Sequence, residues 1–447
     1  MSNKSLSLDE KIEILISLCE KNSHQEALSK AKIFAEQHPG NASIYNIYGI
    51  IYSDLKNYKE SIVCFLKSIK LDPNNAKTYN NLASALSNLG QIEEAILHYN
   101  KAIKLNPNFA EAHFNLGKTL NDAERFDDAI ISYCKAIELK PNFKDAYNNL
   151  IKILTFYEIK KNNENICLVT NRLLQNIVFN YDSNNPISEE DIKDFFKTSN
   201  NILSKDKNIN NLKSIETQIY RRNTTNLNCD RHFEVFNTFD VIPEFCFSCF
   251  KVLIEPNNVV DLIKLYFVFD NLNLRNNNTR KCMIELRSNV SGSYKGYIYC
   301  STLNEANEIR ENVNEIIKKK IDKSVTVSVK RGCSEYGISY PKYKKINDDS
   351  NKLMKYNKEW KEKEKLIDIY RSKKNILKKE KMQKSLNGTN LSDVLIMRNW
   401  LGYAKKIGDQ SYKNIIKDIT VQPAIEKKLS NQLLIRLKQF NSQITKK

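Results

Sequence analysis

Residues 76–109 read AKTYNNLASALSNLGQIEEAILHYNKAIKLNPNF, and this stretch decides the architecture of the first third of the chain. It holds two short amphipathic runs, each with one apolar stripe, and it ends in Asn106-Pro107-Asn108. That is a helix, a turn, a second helix and a stop, because proline lacks an N–H and clashes with the preceding helical turn. The same pattern recurs on both sides. Pro39, Pro73, Pro107 and Pro141 are spaced by 34 residues each time. Small residues keep phase at Ala27, Ser61, Ala95 and Ala129. Four residues later come Ala31, Phe65, Tyr99 and Tyr133, large in all but the first, while Tyr45, Tyr79, His113 and Tyr147 keep phase early in each unit and small residues again at Gly49, Ala83 and Gly117. A fixed period of this size marks stacked units, none of which can bury its apolar face alone.

On these residues the segment resembles the tetratricopeptide repeat family. Three good copies cover 42–75, 76–109 and 110–143, a degenerate copy covers 8–41, and a helix from Ala146 to about Tyr157 caps the stack, giving an array over 8–157. The resemblance implies a helical solenoid whose concave face holds a peptide or partner protein. Asn81, Asn115 and Asn149 each follow the early aromatic by two residues. The array of the O-linked N-acetylglucosamine transferase is similar, and there such asparagines grip a peptide backbone. An amide offers a donor and an acceptor, so it reads backbone rather than side chains. The alternative is helix–helix hydrogen bonding. The first good repeat departs from the ladder with Ile47, and Lys77, Lys118 and Asn80 add a weakly basic groove floor. A full set of residues to clamp a C-terminal carboxylate is not evident.

The 447 residues carry a formal net charge of +18, which suits nucleic acid, a membrane surface or an acidic partner, though abundant Lys, Asn and Ile with scarce Gly and Pro also fits an AT-biased genome. Ten cysteines in so long a chain do not suggest a disulfide scaffold. No signal peptide and no apolar run of membrane-spanning length is evident, so the expected compartment is the cytoplasm.

Residues 158–228 read as an irregular helical connector, with Ser188 and Asp191 opening one helix. Residues 229–345 read as an α/β domain. Strands are expected at Phe245–Glu255, Cys282–Arg287, Tyr294–Ser301 and Val325–Lys330, with helices at Asn258–Asn271 and Leu303–Lys320. The order β-α-β-β-α-β suggests a ferredoxin-like sandwich, so the fold class is α+β: a helical solenoid, then the sandwich, then a basic helical region over 346–447. In that last region a solvated helix is expected from Tyr343 to about Lys384, an amphipathic one over Leu391–Ile407 stopped by Gly408, and a final one from Ile425 to Phe440.

Two constellations in the α/β domain bear on chemistry. Cys229 and His232 precede Cys246 and Cys249 by a gap of 13 residues, a set of four soft ligands suited to one structural zinc ion. The alternatives are buried cysteines that pack as small apolar residues, or a redox pair. Lys295, Tyr297 and Tyr299 share one face of a strand similar to the third strand of RNA-recognition motifs, where they would stack RNA bases. Ile298 and Cys300 depart from that motif, and aromatic residues are also ordinary strand formers. Cys333, after Gly332, is a candidate nucleophile, with His232 as its base, or a fifth candidate ligand. No Gly-rich phosphate loop, HExxH or nucleophile elbow occurs. The sequence therefore points to a protein-binding adaptor, with RNA binding and a zinc- or cysteine-dependent enzyme as the alternatives.

Overall fold

The computed structural model describes residues 6–160, 164–179, 181–182, 184–287, 289–346, 353–373, 383–417 and 419–444. The chain divides into two compact units, residues 1–153 with 157–167, and residues 154–156 with 168–447.

The first unit is a run of paired antiparallel helices: α1 (Leu8–Glu20), α2 (His24–Gln37), α3 (Ala42–Asp54), α4 (Tyr58–Leu71), α5 (Ala76–Leu89), α6 (Ile92–Leu105), α7 (Ala110–Asp122), α8 (Phe126–Leu139) and α9 (Lys144–Ile153). The turn chemistry sets their starts. Asn41 and Asn75 accept from the backbone N–H of Ile44 and Thr78 at 2.9 and 3.2 Å, which satisfies a donor the helix itself leaves orphaned. The small positions let the paired helices touch. A Cβ on Gly49 would stand 2.6 Å from the Phe65 ring, and one on Gly117 would stand 2.8 Å from the Tyr133 ring. Where the phase puts serine instead of alanine, its hydroxyl is used: Ser61 Oγ donates to the Gly49 carbonyl at 2.8 Å.

The second unit opens with α10 (Ile166–Gln175), whose first residues belong to the first unit, and continues with α11 (Glu189–Leu203) and α12 (Lys207–Asn210). Ser188 and Asp191 form the expected capping box of α11. The sheet has five antiparallel strands: β1 (Gln218–Arg221), β2 (Phe250–Glu255), β3 (Arg280–Ile284), β4 (Tyr294–Cys300) and β5 (Thr326–Arg331), in the order β1-β3-β4-β2-β5. Three more helices belong to this region: α13 (Cys229–Phe239), α14 (Val259–Asn271) and α15 (Leu303–Lys320). One face of the sheet carries Val252, Ile254, Cys282, Ile284 and Ile298, all buried. Gly296 stands at the middle of this face. A side chain there would strike Leu265 of α14, so the glycine lets the helix lie close.

The remaining helices are α16 (Ser334–Ser339), α17 (Trp360–Lys373), α18 (Leu391–Ile407), α19 (Pro423–Ser430) and α20 (Leu433–Ile444). The last region is no separate appendage. Trp400 Nε1 donates to the Thr217 carbonyl at 2.9 Å, and the Tyr403 hydroxyl donates to the Glu285 carbonyl at 3.1 Å. Both α14 and α18 are buried around most of their circumference. This explains why α14 carries apolar residues around most of its circumference: the sheet covers one flank and α11 and α18 cover others.

Several expectations are corrected. The strand expected from Phe245 begins only at Phe250, where ladder partners Cys300 and Arg331 become available, and Glu244–Ser248 before it is a 3-10 turn. The connector ends in a strand, β1, which pairs with β3. The strand expected at Cys282–Arg287 lies at Arg280–Ile284. The helix expected from Tyr343 to Lys384 is helical over Trp360–Lys373, while Tyr343 sits in a 3-10 turn and residues 347–352 and 374–382 lie outside the described residues. Among the described residues no helix is long and apolar enough to cross a membrane.

Candidate functional site

In the first unit the asparagines form a connected series of side chains. Asn115 Nδ2 donates to Asn80 Oδ1 at 3.0 Å, Asn80 Nδ2 to Asn81 Oδ1 at 3.4 Å, and Asn81 Nδ2 to Asn46 Oδ1 at 3.1 Å. The series runs along the first helices of three successive repeats, α3, α5 and α7. Asn46 was missed by sequence reasoning, because it lies 35 rather than 34 residues before Asn81 and so falls one place out of phase. Asn149 hydrogen-bonds toward Tyr133. Lys77 and Lys118 are exposed beside this line. The amides thus already bond laterally between repeats, and each Asn115 and Asn46 end keeps capacity for a further partner.

In the second unit the face of the sheet away from α14 is polar. The strand register puts Lys251 of β2 opposite Tyr299 on one side and Lys330 of β5 on the other. It puts Lys281 of β3 opposite Tyr297 on one side and Tyr220 of β1 on the other. Three ammonium groups surround one ring: Lys251, Lys281 and Lys330 Nζ lie 5.9, 5.3 and 5.3 Å from the Tyr297 centroid. Lys251 is only 6% exposed. Its ammonium donates to the Cys333 sulfur at 3.3 Å. Lys281 donates to Gln218 Oε1 at 3.4 Å, and Lys330 to Ser334 Oγ at 2.7 Å. Burial, then the Lys251 ammonium, pushes Lys281 down to about 8 and Lys330 down to about 7. The neighbouring charges are spent otherwise. Arg287 pairs with Glu285 and Glu335, and Lys295 faces Glu255 at 3.7 Å.

Gly332 delivers Cys333 to this cluster. Its φ of +51° belongs to the left-handed region, and any side chain would fall on the Tyr343 hydroxyl. Sequence reasoning singled out Lys295, Tyr297 and Tyr299 here. Lys295 and Tyr297 are 3% and 4% exposed, so they do not offer the open platform that base stacking uses. The three lysines were missed. Their only signal is a lysine inside an apolar strand, as in Phe250-Lys251-Val252, at the position that alternation assigns to this face.

The expected zinc ligands lie in one neighbourhood, where Cys229, Cys246 and Cys249 feel one another's charge. Cys229 opens α13, and burial pushes its thiol up to about 11. His232 stacks on the Phe245 ring with centroids 5.1 Å apart, and burial and then Arg231 hold it down to about 4, a neutral imidazole. Cys246 Sγ lies 3.8 Å from the Tyr336 hydroxyl in an aromatic cluster, and burial raises the Cys249 thiol. Among the described residues no group of three or more His, Cys, Asp or Glu side chains converges to hold a metal ion. All ten cysteines are free thiols. The partner of Cys333 is Lys251, and His232 spends its ring on Phe245.

Family comparison agrees with the periodicity. Models of the tetratricopeptide repeat match residues 42–75 and 110–143, another matches 64–96, and a model described as TPR repeat matches 87–123. Residues 42–143 are therefore tetratricopeptide repeats. A search of curated proteins finds no match. Among solved structures, MamA is 28% identical over 31% of this chain and 81% of its own, with a TM-score of 0.29. YrrB, described as a TPR protein with an unusual peptide-binding site, is 26% identical over 34% of this chain and 77% of its own, with a TM-score of 0.29. The first TPR of Spaghetti (RPAP3), bound to an HSP90 peptide, is 30% identical over 25% of this chain and 90% of its own, with a TM-score of 0.25.

Proposed function

We propose that the protein is an adaptor whose repeat array holds an extended peptide of a partner protein along the first helices of the repeats. The observation that carries this reading is the line of amides from Asn115 through Asn80 and Asn81 to Asn46, flanked by exposed Lys77 and Lys118. A row of amides spaced by one repeat matches a regular backbone better than any single side chain, and the lysines favour a peptide with acidic residues. The appended α/β unit travels with the captured partner. The order β1-β3-β4-β2-β5 supports reading β2 to β5 with α14 and α15 as a split βαβ sandwich to which β1 adds an edge strand.

The test is selection of a displayed random peptide library on the full chain, followed by titration of the enriched peptides against Asn81→Ala/Asn115→Ala/Asn149→Ala. Each amide bond to a peptide contributes about 0.5–1.5 kcal/mol, so the triple variant is expected to bind at least roughly ten-fold more weakly at unchanged helicity. Equal affinity for the variant would remove the ladder from the binding surface. Val63, Leu97 and Ile131 mark the competing surface: they repeat at the 34-residue period, are exposed, and lie on the second helices.

A further inference from the structure

Three lysines gathered on one sheet face need an account, because each is costly as it stands. Lys251 and Lys330 are directly opposed partners on adjacent antiparallel strands, and like charges in that position destabilise a sheet. Lys251 is almost wholly buried, and Lys281 and Lys330 are half-buried. Among the described residues none of the three has a carboxylate within ion-pair distance. The hydroxyls of Tyr297 and Tyr299 also make no hydrogen bond within the described residues, although Tyr220, beside them, bonds Gln218 at 2.9 Å. Ring quadrupoles attract cations but neutralise none of them. Elsewhere in the same unit buried cations are either paired or held by several oxygens: Arg221 takes Asp270 and Asp393 at 2.6 and 3.2 Å, and Arg436 donates to the Val290 and Gly292 carbonyls at 3.0 and 3.1 Å. The lysine cluster differs: three ammonium groups share one ring, and each has a single hydrogen-bond partner, the Cys333 sulfur, Gln218 or Ser334.

We propose that this face is a binding site for a small phosphate-bearing anion, of the phosphomonoester or diphosphate class, held between the ammonium groups of Lys251, Lys281 and Lys330. A single carboxylate balances one ammonium; a phosphate dianion or diphosphate balances two or three and has oxygens enough for the lysines and both tyrosine hydroxyls. The burial of Lys251 and Tyr297 favours a compact group over a polynucleotide, which needs an exposed track for its backbone. The depressed Lys281 and Lys330 agree with this, since a bound anion would restore their charge, whereas Lys251 is held high against its burial by the neighbouring Cys333 sulfur. The site is independent of the peptide-binding reading of the repeats.

The full chain is titrated by calorimetry and thermal melting with sodium diphosphate and with inorganic phosphate, against sodium chloride of matched ionic strength. One saturable site is expected, tighter for diphosphate, with a rise in Tm that chloride does not reproduce. Lys330→Met and Lys281→Met should each weaken diphosphate at least ten-fold. The same variants should melt at the same or a higher temperature than the parent without ligand, because they remove a buried charge that lacks a partner. Tyr297→Phe keeps the ring and should lower affinity without touching ligand-free stability. No saturable binding, equal binding by both lysine variants, or a clear loss of ligand-free stability would overturn the proposal, the last by making the lysines structural; Lys330→Gln, which keeps a polar tip, guards against a packing defect specific to methionine. Tighter binding of an oligouridylate than of diphosphate, lost in the same variants, would replace the small anion with RNA.

Discussion

The lysines on the polar face of the sheet hold a measurable consequence whatever they bind. Lys330 is held near 7 and Lys281 near 8, while an unfolded lysine titrates near about 10.5. Between these values the unfolded chain binds more protons than the folded one, so stability rises with pH across the window from about 7 to about 10. Below it both states are protonated and the penalty is fully present. The groups facing them are Lys251, Lys295 and Arg287, which depress both or one of them, and Cys333 and Glu285, which oppose. Urea unfolding of the ligand-free protein and of Lys330→Met at pH 7 and pH 9 isolates the residue: the parent should gain on the variant as pH rises. A difference that stays flat would mean that Lys330 keeps an ordinary pKa. At this scale the sequence was a partial guide. Tyr297 and Tyr299 could be placed on one face by alternation, but the convergence of Lys251, Lys281 and Lys330 depends on strand order, which no local pattern encodes. The Cys229, His232, Cys246 and Cys249 spacing is limited for a related reason. Close pairs in sequence are close in space when the local backbone turns them together, as the 3-10 turn does for Cys246 and Cys249, but how one pair meets the other is set by distant contacts.

Among the elements, β1 is the clearest case of tertiary rescue. Its four residues would form no strand alone, and its signal in the sequence is a single alternating quartet, Gln218-Ile219-Tyr220-Arg221. It is fixed by pairing with β3 and by Arg221, whose guanidinium bonds Asp270 of α14, Asp393 of α18, the Tyr266 hydroxyl at 2.6 Å and the Gly388 carbonyl at 3.0 Å. One side chain thus joins the edge strand to the two most deeply buried helices. Arg221→Met leaves two buried carboxylates without their cation, which should cost about 3–5 kcal/mol in chemical denaturation. Arg221→Met combined with Asp393→Asn should recover part of that loss, since one stranded charge is then gone. Equal instability of the single and double variants would show that packing, not charge, is the main term. The long elements α14, α15 and α18 were legible because their apolar spacing persists over many residues. Short β1, the 3-10 turn before β2 and α16 were not, because each is decided by contacts made far along the chain.

The whole molecule joins two kinds of folding unit, and the difference between them is testable. In the array every helix contacts mainly its sequence neighbours, so its structure was readable from a period of 34 residues and a few small positions. The second unit gains its core from non-local pairings, such as Trp400 with Thr217 and Arg221 with Asp393. Local contacts survive truncation and non-local ones do not. A fragment of residues 1–157 should therefore fold by itself, since it keeps α1 to α9, the capped repeat starts at Asn41 and Asn75, and the bond from the Tyr157 hydroxyl to Asp127 at 3.0 Å. Far-UV circular dichroism should show a predominantly helical spectrum with a cooperative melt. Gly49→Val within this fragment should lower that melting temperature, because a side chain there would enter the Phe65 ring, and the loss should spread along the stack rather than stay local, as stability in such arrays depends on nearest-neighbour interfaces. A fragment with little helix would mean that the repeats need the second unit to fold, and an adaptor arm independent of its appended unit would then be untenable.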